Sequence, residues 1–370
     1  MYRTIGILLA TLFVAVPVHV QEKLDPKLAT GDKDVVWYDL KHLDLEGRAF
    51  TDTESPYDRL PARAKGKVRD AVWNLSRHSA GMCVRFVTDA ATIQGRWTLT
   101  SKNLAMPHMA ATGVSGLDLY VKTDKGWRWL GVGQPREQTN TAILATGIPA
   151  GTREYLLYLP LYNGVSSVQV GIPKSAFLAK APAYPKDRKP IVFYGTSITQ
   201  GGCASRTGMV HTAILGRRLG YPVVNLGFSG NGRMEPEVVK LIAEIDASVY
   251  VIDCLPNMTA KEVTANTEPL VELLRQKRPA TPILLVEDRN YDNGHLLPSP
   301  RQRNLASQAA LKAAYEKLMK AGARGVYYLE GAHLLGDDNE GTVDSSHPTD
   351  LGFLRQADAF EKALRPILQR

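Results

Sequence analysis

The hydrophobic period of this chain changes part-way along, and that change limits its fold more than any other feature. Before about residue 180 the apolar residues come in short runs rich in Val, Tyr, Trp and Thr: "VVWYDL", "DAVWNLS", "MCVRFVT", "ATIQGRWTLT", "LDLYVKT", "WRWLGVG", "EYLLYLP" and "SSVQVGI". Alternation with a period of two is visible in them, and turns containing Gly or Asp separate them. Many short strands with turns between them predict an antiparallel β-sandwich of jelly-roll type over residues 30–180. "KAPAYPKDRKP" then brings three Pro and four Lys/Arg together, so residues 181–190 read as a linker.

Beyond the linker, in residues 190–370, the apolar runs "IVFYG", "PVVNLG", "SVYVIDCL", "PILLVED" and "GVYYLEG" alternate with helical patterns. The helical segments are "MVHTAILGRRLG", "PEVVKLIAEI", "EPLVELLRQKR", "RNLASQAALKAAYEKLMKAG" and the closing "DLGFLRQADAFEKALRPIL". Strand–helix alternation of this kind means parallel strands joined by right-handed crossovers, with helices on both faces. The expected class is α/β, a doubly wound parallel sheet preceded by a β-sandwich.

Composition narrows the function classes. The formal charge is +8, from 45 basic and 37 acidic residues, and the basic residues form no stripe or recognisable module. A solvated excess accounts for this better than a nucleic-acid partner. "MYRTIGILLATLFVAVPVHVQEK" has a cation at Arg3, an apolar stretch from Ile5 to Val18 and polar residues from Gln21. That layout predicts a secretory signal over residues 1–20, with an uncleaved anchor as the alternative, because Val18 and Val20 stand where small residues are expected. Export to the periplasm or the extracellular space follows. The three cysteines, Cys83, Cys203 and Cys254, lack metal-ligand spacing. Cys203 and Cys254 either pair or remain buried thiols.

In an open parallel sheet, ligands bind at the C-terminal ends of the strands. After the first run there, Gly195 gives the backbone freedom to turn and Ser197 stands where the next element begins. Gly230 follows the second run, in "NLGFSGNGRMEP", and Asn257 the third, in "DCLPNM". After the fifth comes "VDSSHPTDLG", with Asp344 and His347 spaced to face one cleft. A nucleophile, a base, an orienting carboxylate and oxyanion donors thus meet on one rim. Arg206 and the stretch Glu287–Arg289 lie near the same rim, as substrate contacts or as internal salt bridges. The irregular segment "RNYDNGHLLPSPR" leaves that rim as well, and offers Tyr291 and His295 to a substrate. His211, on an amphipathic helix, reads as structural, whereas His78, His108 and His333 carry no motif.

These four blocks resemble the SGNH (GDSL-like) hydrolases. The first reads Gly195-Thr196-Ser197-Ile198-Thr199, with Thr196 in place of the commoner Asp; the third reads Pro256-Asn257 rather than Gly-Asn-Asp. The last matches as Asp344-x-x-His347 followed by Pro348. The N-terminal half is similar to the β-domain of an exported bacterial branch, through "VWNLSRHSAG" and "EYLLYLPLYNGV". The resemblance implies a flavodoxin-like sheet and a triad of Ser197, His347 and Asp344. It also implies an oxyanion hole of the Ser197 and Gly230 backbone N–H groups with the Asn257 amide. No metal and no organic cofactor is called for.

The expected activity is that of an exported serine esterase removing short acyl groups, acetyl first, from carbohydrate or another small ester. A long-chain lipase would want an apolar lid helix near these segments, and none is visible. The alternatives are a lysophospholipase or thioesterase, which the same triad would serve, and an inactive glycan-binding protein.

Overall fold

The computed structural model describes residues 22–31 and 34–369. The expected secretory signal, residues 1–20, lies outside the described residues.

Two antiparallel sheets face each other in the N-terminal half. One runs in the order Thr30–Gly31, Val35–Asp39, Val165–Pro173, Thr92–Leu99, Thr139–Thr146. The other runs Leu178–Lys180, Cys83–Thr88, Arg153–Tyr158, Leu117–Thr123, Gly126–Gly133, with the short Leu45–Glu46 strand also pairing on Cys83–Thr88. Period-two alternation is cleanest in Thr92–Leu99, where every second side chain is buried. Ile93, Trp97, Val168 and Val170 from the first sheet meet Phe86, Leu117, Leu119 and Leu157 from the second in one apolar core. This is the expected sandwich.

One segment departs from expectation. "DAVWNLS" forms the helix Asp70–Ser76, not a strand. Its Val72 and Trp73 pack into the core of the other half of the molecule, together with Phe50, Leu60 and Val68. Val and Trp favour strands only weakly, and burial against a neighbouring surface overrides that preference.

The C-terminal half is a five-stranded parallel sheet. Its strands are Ile191–Gly195, Val223–Gly227, Val249–Asp253, Ile283–Val286 and Val326–Leu329, here called first to fifth. Their spatial order is second, first, third, fourth, fifth, which is the flavodoxin-like order with its switch point beside the first strand. Val192, Tyr194 and Ile252 point to the face covered by helices Pro236–Ile242, Ala260–Lys277 and Pro298–Lys320. Ile191, Phe193 and Val251 point to the face covered by His211–Leu219 and Asp350–Leu368. Burial on both faces explains why these strands read as unbroken apolar runs. His211 lies on that second face, stacked on the rings of Phe353 and Phe360. Burial, and then the charge of Arg289, hold its pKa well below the ordinary histidine range.

The two halves share their cores. Met109, Val114, Tyr120 and Tyr158 of the sandwich pack among Ile198, Ala204, Val210 and Ala213. Arg59 is buried with no carboxylate partner among the described residues, and its guanidinium donates to the carbonyls of Leu75 (2.6 Å), His78 (2.9 Å), Asn225 (3.2 Å) and Gly227 (2.6 Å). It thereby ties the Asp70–Ser76 region to the end of the second strand. Arg206, open between a substrate contact and an internal salt bridge, is used in the same way. It donates to the fully buried Asp118 carboxylate at 2.8 Å and to the Tyr120 hydroxyl, while Gly208 N–H reaches the same carboxylate at 2.8 Å. A buried carboxylate needs a cation and donors, and Arg206 supplies the cation.

All three cysteines are free and buried. The Cys254 thiol donates to the Tyr194 carbonyl at 3.5 Å, within the core beneath the third strand. Cys203 lies on the rim near Asp344, where burial and then that carboxylate's charge push its thiol up to about 12. A pairing of Cys203 with Cys254 therefore does not form.

Candidate active site

The turn that carries Ser197 is built from the first strand outward. Gly195 does not have left-handed backbone; its reason is space. A Cβ there would fall 2.1 Å from Thr199 Oγ1 and 2.7 Å from the Asp253 carbonyl. Thr196 is the N-cap of the short helix Ser197–Gln200, its Oγ1 accepting from Ile198 N–H at 3.3 Å. A Thr hydroxyl caps a helix much as an Asp carboxylate does, so the departure from the commoner motif keeps its local role. Ser197 is the first residue of that helix, where an N–H has no intrahelical acceptor. Its carbonyl is gripped by three donors: Gly201 N–H (2.9 Å), Gly202 N–H (2.8 Å) and the Tyr162 hydroxyl (3.0 Å).

Ser197 Oγ lies 2.8 Å from His347 Nε2, and His347 Nδ1 lies 2.8 Å from Asp344 Oδ2. An ionised carboxylate only accepts, so Nδ1 carries the ring proton and Nε2 is left to accept from the serine. The Asp344 carboxylate also accepts from the backbone N–H groups of His347 (2.8 Å) and Ser346 (3.1 Å). Burial raises its pKa, but these bonds and the charge of His347 outweigh that and hold it below the usual carboxylate value. The loop is closed on itself by a bridge between Thr342 and Pro348 and by Val343 N–H donating to the His347 carbonyl at 2.8 Å.

Gly230 and Asn257 complete the rim. Gly230 has φ +69°, a left-handed conformation that strains any other residue although the space beside it is open. Asn257 Oδ1 accepts from Gly232 N–H at 3.2 Å, which fixes the amide orientation and leaves Nδ2 as a donor. Neither Gly230 N–H nor Asn257 Nδ2 has an acceptor among the described residues. Asn257 is not a helix cap; Thr259 caps the next helix through a capping box with Glu262.

Beneath the site, Arg289 lies in the interior. It donates to both Asp253 oxygens (2.5 and 2.6 Å) and to Gln356 Oε1, while Asp253 Oδ2 also accepts from Thr199 Oγ1 at 3.1 Å. For Arg289 the open choice resolves to an internal ion pair.

Sequence reasoning missed what Gln200 and the sandwich contribute. The Gln200 amide donates to Leu161 O and His78 Nδ1, both at 3.1 Å, and accepts from Ser229 N–H at 3.1 Å. One side chain therefore joins the nucleophile helix, the Gly230 turn and the sandwich. Burial and then the nearby Arg59 push His78 down to about 4, so its ring stays neutral and Nδ1 stays an acceptor. No local motif marks these residues. The signal that was present is "GLDLY", Gly116–Tyr120, whose Asp118 and Tyr120 hold Arg206.

The two expected loop residues, Tyr291 and His295, share a cleft whose walls do not include Ser197, Asp344 or His347. It has a volume of about 450 Å³, and Asp292, Arg301 and His333 also line it. The Tyr291 hydroxyl accepts from Arg303, which also donates to the Pro256 carbonyl at 2.7 Å. Asp292 N–H donates to Ser345 O at 3.1 Å, and Thr342 Oγ1 to Asp292 Oδ2 at 2.6 Å. The segment thus braces the Asp344–His347 loop against the Asn257 turn.

A family model for GDSL-like lipases and acylhydrolases matches residues 188–365, and a model for the N-terminus of SGNH-hydrolase-type esterases, GxDLY, matches residues 35–178. A solved structure from Bacteroides ovatus, described as a GDSL-like lipase, is 36% identical, with a TM-score of 0.86 over 90% of this chain and 98% of its own. The chain belongs to the GDSL-like lipase/acylhydrolase family. As a GDSL-like hydrolase it is a serine esterase acting on ester bonds. Two more distant structures share its fold. A salicylyl-acyltransferase of a tetracycline biosynthetic pathway is 19% identical, TM-score 0.70, over 88% of this chain and 94% of its own. An acetyl xylan esterase from the rumen bacterium Butyrivibrio proteoclasticus is 10% identical, TM-score 0.57, over 91% and 99%. No curated protein matches this GDSL-like hydrolase.

Proposed function

We propose that this GDSL-like hydrolase is an exported esterase that removes short acyl groups, acetyl first, from carbohydrate. The carrying observation is the unbroken chain of 2.8 Å contacts from Ser197 Oγ through His347 to Asp344. In this reading His347 Nε2 takes the Ser197 proton as the hydroxyl attacks the ester carbonyl, because a serine hydroxyl is a weak nucleophile without a base. Asp344 fixes the tautomer and stabilises the imidazolium. The tetrahedral oxygen is met by Ser197 N–H, Gly230 N–H and Asn257 Nδ2–H. His347 then protonates the leaving alcohol, and water repeats the sequence to release the acid.

The acetyl-carbohydrate assignment draws on the N-terminal sequence for export and on the fold, which an acetyl xylan esterase and a carbohydrate esterase solved with cellohexaose also adopt. Acetylated oligosaccharides assayed beside aryl esters of graded acyl length test it. Highest kcat/KM on acetylated oligosaccharide and decline beyond short acyl chains supports it; preference for long acyl chains or lysophospholipid contradicts it.

Asn257→Ala is expected to lower kcat by about 10²–10³ with little change in KM, since its amide meets charge that exists only in the transition state. Steady-state kinetics on an aryl acetate reads this, and a change confined to KM would remove Asn257 from the oxyanion hole. Tyr291→Ala loosens the brace between the Asn257 turn and the catalytic loop. It is expected to cost roughly 10- to 100-fold in kcat on aryl acetate and acetylated oligosaccharide alike, because a small misplacement of catalytic groups suffices. A loss on the oligosaccharide alone would make Tyr291 a sugar contact. His295 is exposed, with Nδ1 donating to Asp292 O at 2.8 Å, and is the residue of that cleft best placed to meet an extended glycan.

A further inference from the structure

The sandwich places a histidine against the catalytic one. The His108 ring centroid lies 6.0 Å from that of His347, with the ring planes 54° apart. His108 is exposed, and its ring nitrogens have no hydrogen-bond partner among the described residues. It sits at the tip of a two-residue turn, Pro107-His108, closed by Met106 N–H to Met109 O (3.1 Å) and Met109 N–H to Met106 O (3.0 Å). Proline fixes one backbone angle of that tip. Met109 is buried in the core shared with Ala204 and Val210, and Thr112, just beyond, donates through Oγ1 to the Ser205 carbonyl. The turn is therefore rigid and anchored to the catalytic half, although it belongs to the sandwich.

We propose that His108 is a specificity-determining residue for the alcohol portion of the ester, and that it recognises a polyhydroxylated alcohol. This rests on the triad reading above. His347 Nε2 serves two oxygens in turn: Ser197 Oγ during attack and the leaving oxygen during collapse. The leaving alcohol must therefore lie within hydrogen-bond reach of His347, whereas the acyl group lies toward the oxyanion donors. A side chain whose ring lies 6.0 Å from that of His347 is near enough to meet that alcohol. An imidazole with both nitrogens free offers a donor and an acceptor, which suits vicinal hydroxyls, whereas a nitrophenyl group carries no donor to match the acceptor. The active site is thus composite, with chemistry from the α/β half and alcohol recognition from the sandwich.

The test uses the whole protein and two matched ester series. One keeps acetyl constant and varies the alcohol from 4-nitrophenol to a monosaccharide to an oligosaccharide. The other keeps 4-nitrophenol and lengthens the acyl chain. For His108→Ala the expected result is a fall of about tenfold or more in kcat/KM on the acetylated sugars, the worth of roughly one hydrogen bond. Aryl acetate turnover should stay within about twofold and the acyl-length profile should not move. His108→Asn, which keeps a donor and an acceptor, should recover part of the loss. Equal losses across the alcohols, no loss on any of them, or an altered acyl-length profile would overturn the proposal. Failure of the triad reading shows elsewhere, as Ser197→Ala retaining aryl acetate turnover.

Discussion

His347→Ala is expected to lower kcat by about 10⁴–10⁶-fold, with KM little changed. The size of this loss follows from the position of one ring. In the proposed triad its Nε2 is the base for Ser197 Oγ, 2.8 Å away, and its Nδ1 is engaged by Asp344. Without the ring the serine stays a neutral hydroxyl and the leaving alkoxide finds no acid, so both halves of the reaction slow. What survives is binding and the oxyanion donors. Asp344→Asn should cost less, because Val343 N–H on the His347 carbonyl and the Thr342–Pro348 bridge still hold the loop, while the tautomer is no longer fixed. Stopped-assay kinetics on an aryl acetate, with circular dichroism to show the fold intact, read both variants. A His347→Ala protein that kept a tenth or more of its kcat would remove the imidazole from the chemistry.

The largest loss of stability is expected at Arg289→Met. Arg289 and Asp253 have side chains 1% and 0% exposed, and their bidentate contact is joined by Gln356 and Thr199. Removing the cation leaves a buried carboxylate with only a hydroxyl donor, an arrangement that costs about 3–5 kcal/mol. The double variant with Asp253→Leu should recover much of that, since the unpaired charge is what destabilises. Because Thr199 belongs to the same short helix as Ser197, the single variant should also lose kcat at temperatures where it remains folded. Urea unfolding of the single and double variants measures the first effect; equal destabilisation in both would mean that packing volume, not charge, decides.

The α/β half was legible in the sequence because its information is local. Buried strands of four or five residues gave unbroken apolar runs, and the strand-end residues Ser197, Gly230, Asn257, Asp344 and His347 fall where a doubly wound sheet collects its ligands. The sandwich strands were legible for the same reason, through alternation such as that of Thr92–Leu99. What escaped depends on docking. "DAVWNLS" is a helix because Val72 and Trp73 find a surface on the parallel sheet, which no window of the sequence contains. His108, Tyr162 and Gln200 matter through contacts between residues 29 to 239 positions apart, and nothing near any of them in sequence announces the partner. Arg206 and Arg289 were ambiguous between substrate and salt bridge until Asp118 and Asp253 were found facing them. For Arg289 the register was decisive, as the first and third strands end level at Gly195 and Asp253.

We propose Ser197 as the nucleophile, and one measurement reads this directly. Ser205 and Ser229 are its neighbours on the rim, but the Ser205 hydroxyl is bonded to Asp350 and Ser229 is held through its backbone by Gln200. Of these three serines, Ser197 alone has its Oγ on an imidazole, that of His347. The protein should be treated with an alkyl fluorophosphonate until activity is lost, then digested and mapped by tandem mass spectrometry. A single adduct on Ser197 is expected, absent from Ser197→Ala and strongly slowed in His347→Ala. An adduct on Ser205 or Ser229, or inactivation that leaves Ser197 unmodified, would contradict it.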